Sequence, residues 1–478
     1  MKKHWLIITL LVALAIRLPG MFQSLWYDEA FTATVAGLPW ARLWQATAGD
    51  VHPPLWYAIE RLVILALGNS EPMLRLPSMA LGLANVWLTW QVTQAMGLPV
   101  NVGRITTLLM AVLPGQVWYS NEARMYQLVQ FAALLATLGV YRRWWGLYGL
   151  GLAVGLWSHN LFVVFAALLL AVAIARESQS PGRPLVATGL AGLSYTPWLA
   201  ALAGQVGDVG NSFWVLPLNP GTPLYVLHEL LWRSTPAWAG VHGVFISMLL
   251  ILAGGWFTLR ARRWDILVLA LGMWAVLGLI SVGWRPVLIG RTLMPAAPFV
   301  AMMLAHGFAG RGRGPALALL SIPILVIATA GYWSGETGRA DIHRFTEPVI
   351  LTGGGDAVFH GNLASYMLMS YYLDSPHQYV WRQANDLSQS LTRETKNAMR
   401  LPEADISELQ AEGYRRLWLY WSLNPTTSTA EYDYITAVLD TFRHKEVVTF
   451  QSNRLIDARL YLVDLGSISY GADRSSQQ

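Results

Sequence analysis

Long apolar runs separated by short polar breaks fill the first two thirds of the chain, and mixed strand-like and helical patterns follow. Runs long enough to cross about 30 Å of hydrocarbon, roughly 17 to 25 helical residues each, occur near 5–22, 73–96, 102–119, 122–141, 160–176, 185–203, 241–259, 265–283, 292–309 and 315–333, with a shorter one at 144–158. Basic clusters at Lys2/Lys3, Arg142/Arg143, Arg176/Arg183, Arg260/Arg262/Arg263 and Arg311/Arg313 are expected to face the cytoplasm. Lys2 and Lys3 ahead of an apolar core give residues 1–20 the look of a signal peptide, but Arg17 and the lack of a small-residue cleavage site make them the first spanning helix.

Parity then singles out one segment. Residues 28 and 121 both face outward only if an even number of crossings separates them, yet three apolar segments lie between. Segment 53–68 carries Glu60 and Arg61 at its centre, where charge is costly in lipid, and is read as interfacial or re-entrant. The expected fold is a polytopic α-helical membrane protein of about 11 spanning helices, with interfacial helices in the first outer loop. A soluble α/β domain covers 334–478, outside the membrane, with strands at 356–360, 415–422, 446–451 and 458–465 and helices near 363–373, 403–412 and 430–442. The domain boundary falls near Trp333, and GGGD at 353–356 reads as a flexible entry to the first strand.

Composition supports this division: 54% of residues are hydrophobic and only 13% charged, and the mean hydropathy is +0.39. The net charge of +5 is scattered between apolar runs without a basic stripe, which argues for membrane orientation and against nucleic acid. The 478-residue chain has no cysteine, so disulfides and thiolate chemistry are excluded.

Five motifs fall on the outer side. SLWYDEAFT carries the adjacent carboxylates Asp28 and Glu29; either could serve as a general base or hold a divalent cation, and Asp28 is equally suited to cap a helix. GDVHPPLW brings Asp50 and His52 ahead of two prolines, His52 being a candidate phosphate or metal ligand or an interfacial histidine. WYSNEARMYQL supplies Glu122, Arg124 and Tyr126, with Glu122 and Tyr126 expected on one helix face. WSHNLF supplies His159, and WRPVLIGRTLMPAAP supplies Arg285 and Arg291. Outer arginines, including Arg75, suit bidentate recognition of a phosphate, although snorkelling to headgroups serves each of them as well. Most of the 23 tryptophans fit an interfacial aromatic belt.

At these residues the chain resembles the polytopic type C (GT-C) glycosyltransferases, in particular bacterial relatives of protein O-mannosyltransferases and of the aminoarabinose transferase. SLWYDEAFT, HPPLWY, LRLPS, YSNEARMYQL, SHNLF and GRTLMP carry the resemblance, in order, over about the first 310 residues. His52-Pro53-Pro54 stands where aminoarabinose transferases have Lys-Pro-Pro, and Arg291-Thr292 where many relatives have Arg-Tyr. The resemblance implies a polyprenyl-phosphate sugar donor, an acceptor hydroxyl on lipid, glycan or protein, and transfer with inversion on the outer face of a bacterial-type inner membrane. Asp28, Glu29 and Glu122 are the implied catalytic carboxylates. His52, Arg75, Arg124, Tyr126, His159, Arg285 and Arg291 are the implied donor and phosphate ligands, and Asp28 with Glu122 would hold a Mg or Mn ion if one is used. No G-x-G-x-x-G or P-loop is present, which fits a donor that carries its own leaving group. The alternative is a transporter or flippase of a polyprenyl-linked lipid, for which ionisable residues deep in several helices or repeated halves are expected.

Overall fold

The computed structural model describes residues 4–211, 215, 217–232, 240–309, 341–352, 355–383, 391–423, 429–451 and 457–468. The expected span 315–333, the basic pair Arg311/Arg313, the domain boundary at Trp333 and Gly353 and Gly354 of GGGD lie outside the described residues. Two compact units emerge. One contains residues 4–22 and those described from 47 to 309; the other contains 23–46 and those described from 341 onward. The first outer loop is therefore divided, its first half belonging with the C-terminal residues.

The helical unit opens with α1 (His4–Arg17), which Pro19 tightens into a 3₁₀ turn over Leu18–Phe22. After the loop come α4 (Leu55–Leu67), α5 (Glu71–Ala95), α6 (Val100–Val112), α7 (Pro114–Ser120), α8 (Tyr126–Arg142), α9 (Trp145–Ser158), α10 (Phe162–Arg176) and α11 (Gly182–Tyr195). The unit continues with α12 (Leu199–Asn211), α13 (Thr222–Trp232), α14 (Gly240–Arg260), α15 (Trp264–Gly283), a 3₁₀ turn over Gly290–Ala296, and α16 (Ala297–Phe308). The loop's other helices are α2 (Tyr27–Gly37) and α3 (Trp40–Gly49).

Among the described residues four helices are long and apolar enough to cross a membrane: His4–Phe22, Gly182–Gly207, Gly243–Arg260 and Trp264–Gly283. Side chains such as Leu190, Leu252 and Leu279 stand exposed on them, as expected of an integral membrane protein. Several of the other expected spans are shorter or broken. Pro114 splits 102–119 into α6 and α7, and 122–141 becomes helical only at Tyr126, so Glu122 precedes that helix and does not share a face of it with Tyr126. Residues 53–68 form the single helix α4. Helix α5 is long enough but buries Arg75, Ser78, Asn85, Thr89 and Thr93.

Helix α8 is buried on nearly every side and packs on α5 and α9. Close approach to α9 depends on glycine: a Cβ at Gly139 would lie 2.5 Å from the Tyr148 nitrogen, and one at Gly151 2.6 Å from that of Ala136. Arg17 repairs the break between α6 and α7. Pro114 has no N–H to offer the Met110 carbonyl, and Arg17 donates to that oxygen at 3.2 Å, to Ala111 O at 2.7 Å and to Ser120 Oγ at 3.0 Å.

The second unit is a six-stranded mixed sheet. Strands β1 (Ala357–His360), β2 (Gln378–Trp381), β3 (Glu403–Ala404), β4 (Arg416–Leu423), β5 (Phe442–Gln451) and β6 (Asp457–Ile468) lie in the order β3-β2-β1-β4-β6-β5. Strands β1 to β4 pair in parallel, while β6 runs antiparallel to both β4 and β5. The short β2 and β3 were not among the strands expected. Along β4, Leu417, Leu419 and Trp421 enter one core with α20 (Ile406–Ala411) and α21 (Thr429–Thr441), the last two helices of the chain order. Trp418 and Tyr420 enter the other, beneath α17 (His343–Leu351) and α18 (Leu363–Tyr372). The remaining helix, α19, spans Arg393–Met399.

The first-loop helices are fastened within this unit. Helix α2 packs on α18, the Leu25 amide donates to the Tyr372 hydroxyl at 2.7 Å, Arg42 Nε donates to Ala398 O at 2.8 Å, and Thr395 Oγ1 donates to Ala46 O at 2.8 Å.

Candidate active site

Asp28 lies in the first turn of α2, half-buried, where a carboxylate is favoured by the helix dipole. It is not the N-cap; that position belongs to Trp26, whose amide donates to Glu29 Oε2 at 3.3 Å. Glu29 is fully buried and is thereby tied to starting the helix. Of the two adjacent acids, Asp28 is the accessible one.

A second polar cluster forms inside the helical unit. Pro53 and Pro54 stiffen the chain before α4, and the preceding turn presents Asp50 and His52. His52 Nδ1 lies 3.2 Å from Asp50 Oδ2, Tyr57 donates to the same oxygen at 3.2 Å, and Arg124 Nη1 donates to the Tyr57 hydroxyl at 3.1 Å. The Arg124 guanidinium also sits 5.9 Å from the Tyr57 ring centroid. The ring of His159, at the C-terminal end of α9, meets the His52 ring edge-on at 5.1 Å.

The hydrogen bonds assign the imidazole tautomers. Burial pushes the Asp50 carboxyl up, yet the His52 hydrogen bond and the charges of His52 and Arg124 together hold it below its usual range. An ionised carboxylate only accepts, so His52 Nδ1 carries the proton and Nε2 keeps a lone pair. Burial lowers His52 against the opposing pull of Asp50, with Arg124 and Arg291 acting in the same direction as burial. His159 is pushed further down by burial and then by His52, Arg124 and Arg291. Its Nδ1 accepts from the Leu161 amide at 3.2 Å, which leaves Nε2–H as a donor. The site thus offers one imidazole acceptor and one imidazole donor, both neutral, in the field of two guanidiniums.

A buried frame fixes the loop that carries Asp50 and His52. Asn160 Nδ2 donates to Val51 O at 3.0 Å and to Gln205 Oε1 at 2.7 Å, and Tyr195 donates to Asn160 Oδ1 at 2.6 Å. Gln205 Nε2 donates to Thr47 O at 3.0 Å and Ala48 O at 3.2 Å. On another side, the Gly290 amide donates to Glu229 Oε2 at 3.1 Å beside Arg291.

The remaining candidates are distributed differently. Glu122 is fully buried and accepts from Trp118 Nε1 at 3.0 Å. Arg75, also fully buried, donates to the carbonyls of Gly20 and Met21 at 3.1 Å each, a task that joins α5 to the turn after α1. Tyr126 is buried edge-on against Tyr119 at 5.1 Å, and Arg285 lies half-buried between α15 and the Gly290 turn. Among the described residues no three His, Asp or Glu side chains converge on a metal position; Asp28 and Glu122 belong to different units.

The architecture has counterparts among solved structures. ArnT from Cupriavidus metallidurans, crystallised bound to undecaprenyl phosphate, superposes with a TM-score of 0.64 at 13% identity, over 98% of this chain and 99% of its own. The chain has the ArnT fold. The apo state of the same protein gives 0.64 at 14% identity over 97% and 98% of the two chains. An oligosaccharyltransferase from Archaeoglobus fulgidus in the apo form aligns at 0.47, with 14% identity, over 74% of this chain and 59% of that one. No protein-family model matches the sequence, and no curated protein matches it significantly.

On this ArnT-like fold, Asp50, Tyr57, Asn160, Gln205 and Glu229 add to the residues the motifs suggested. Asp50 had a local signal, a carboxylate two positions before a histidine in a proline-fixed turn. Gln205 and Glu229 had none, since their partners are remote in sequence.

Proposed function

We propose that this chain is a membrane glycosyltransferase that moves a sugar from a polyprenyl-phosphate donor to an acceptor hydroxyl on the outer face, with inversion at the anomeric carbon. The observation that carries the reading is the Asp50–His52–His159 cluster under Arg124 and Arg291, a neutral donor and acceptor pair in a cationic field. It stands on the fold of ArnT, a protein crystallised with undecaprenyl phosphate.

In this reaction the acceptor oxygen forms a bond to the anomeric carbon while the bond from that carbon to the phosphate oxygen breaks. The proton of the acceptor hydroxyl passes to Asp28, and the leaving group departs as polyprenyl phosphate. Arg124 and Arg291 stabilise the charge that builds on the leaving phosphate, and His159 Nε2–H donates to it. Arg285 lends a further positive charge, while Arg75, Tyr126 and Glu122 shape the walls. The His52 tautomer supports a second assignment within the same reaction, in which its Nε2 lone pair takes the acceptor proton and Asp50 orients the ring. No step is routed through a metal. The fastening of α2 to α18 secures the helix that carries Asp28 within the C-terminal unit.

The test is transfer in right-side-out vesicles supplied with polyprenyl-phosphate sugars on the outer leaflet. Asp28→Asn is expected to lower kcat by about 10²- to 10⁴-fold with unchanged expression and thermal unfolding. Full activity of that variant removes Asp28 from the chemistry, and no transfer by the unaltered chain from any polyprenyl-phosphate sugar rejects the reading.

A further inference from the structure

At the other end of α9 from His159, about 20 Å away at 1.5 Å per helical residue, a groove of about 680 Å³ opens between α9 and α11. The two helices run in the same direction: near their starts the Tyr148 hydroxyl meets Thr188 Oγ1 at 2.8 Å and a Cβ at Gly149 would lie 3.3 Å from Ala187 O, and near their ends the rings of Trp157 and Tyr195 lie 5.7 Å apart. Small residues at Gly146, Gly149, Ala153 and Ala187 leave the trough, and its walls are apolar up to Ser194, whose hydroxyl is spent on Ala191 O. Around it Leu150, Val186, Leu190 and Leu193 are more than half exposed, so the groove opens on the surface that faces acyl chains.

Its two ends differ in chemistry. The end where both helices begin carries Trp145 and Arg183. Arg183 is exposed and has no hydrogen bond or ion pair among the described residues. Two helix N-termini add positive dipole ends here, and Arg142, Arg143 and Arg176 stand at the C-terminal ends of α8 and α10. Glu177 is the one acid of this stretch, and it is paired with Arg143 at 2.6 Å.

We infer that this groove is a binding site for an anionic glycerophospholipid, its phosphate accepting from Arg183 and one acyl chain lying along Gly149, Ala153 and Ala187. An apolar trough alone would take any chain. The cationic end selects a head that carries net negative charge, as basic pockets between membrane helices do. The inference is independent of the proposed transfer reaction, which uses the opposite end of α9.

Native mass spectrometry of the full chain, released from nanodiscs of phosphatidylglycerol and phosphatidylethanolamine, tests it. The unaltered protein is expected to retain phosphatidylglycerol preferentially, and Arg183→Gln to weaken that retention about fivefold, equivalent to roughly 1 kcal/mol per arginine near anionic headgroups. Gly146→Leu is a second variant, since a Cβ there meets nothing within 4 Å; it should displace both lipids by filling the trough. Equal retention of the two lipids, wild-type retention by Arg183→Gln, or a second copy of the chain bound in place of lipid would each overturn the inference.

Discussion

Each unit buries a histidine away from water, and the two sites use that burial differently. In the α/β unit His360 ends β1 fully buried, with Nε2 3.2 Å from Gln378 Oε1 and its ring edge-on to Tyr366 at 5.4 Å; burial drives it down to about 3. Among the described residues its hydrogen-bond and ring partners are an amide and two tyrosines, Gln378, Tyr366 and Tyr420. In the helical unit His52 and His159 are also neutral, but they face each other, have opposite hydrogen-bonding tautomers, and feel Arg124 and Arg291. Desolvation alone makes a histidine neutral. Convergence of polar groups with different tasks makes it a candidate for chemistry.

The contrast breaks most readily by exchange of each ring for an amide. His52→Gln is expected to lower transfer about 10²-fold or more, while His360→Gln leaves transfer at the unaltered level and instead lowers the stability of the α/β unit by about 1–3 kcal/mol. Paired activity and unfolding measurements check both halves, and equal loss of activity in the two variants would erase the distinction.

A smaller effect tests the frame around the cluster. Gln205→Leu removes the donor that holds the Thr47 and Ala48 carbonyls without adding a polar group to a helix in an apolar setting. It should lower kcat about tenfold, less than the 10²-fold that a full 1 Å displacement of a reacting group can cost. An unaltered kcat would mean that Pro53 and Pro54 position the loop unaided.

The smallest effect at ordinary pH is on stability, and its sign follows from the direction of the shifts. A histidine depressed in the folded state binds fewer protons there than in the unfolded chain, so its contribution is complete above the unfolded value near 6.5 and is lost as pH falls below it. For His360, which reaches about 3, the loss by pH 4 is on the order of 3 kcal/mol. Unfolding midpoints followed from pH 7 to pH 4 should therefore fall, with the α/β unit and the His52–His159 cluster both contributing. Asp50 is held below its usual range and contributes only at lower pH. A midpoint that rises on acidification contradicts the neutral assignment of these rings.

Much of the architecture was legible in the order of residues because its causes are local. A run of apolar side chains long enough to span hydrocarbon and the strand-like run over 415–422 each depend on neighbours a few positions away; Pro114 is as local a cause, yet its break lies inside the expected span 102–119. The expected helix face joining Glu122 to Tyr126 failed for a similarly local reason, because the backbone of residues 121–125 turns before α8 begins. The division of the first loop was different. Nothing near Asp28 announces that α2 belongs with α18 and α3 with Thr395, since those contacts join residues about 350 positions apart.

The sequence by itself determined that this is a membrane protein with an α/β region after its helices, that carboxylates open the first loop, and that histidines and arginines recur between the helices. Burial of apolar surface and the length of a helix suffice for such conclusions. Only the tertiary structure decided which of those polar groups meet. Arg124 finds Tyr57 across 67 residues, Asn160 finds Val51 across 109, and Gln205 finds Thr47 across 158. It also decided that Glu29 and Arg75 are occupied with folding. A hydrogen bond needs a partner within about 3 Å, and no periodicity along the chain specifies which remote residue that will be.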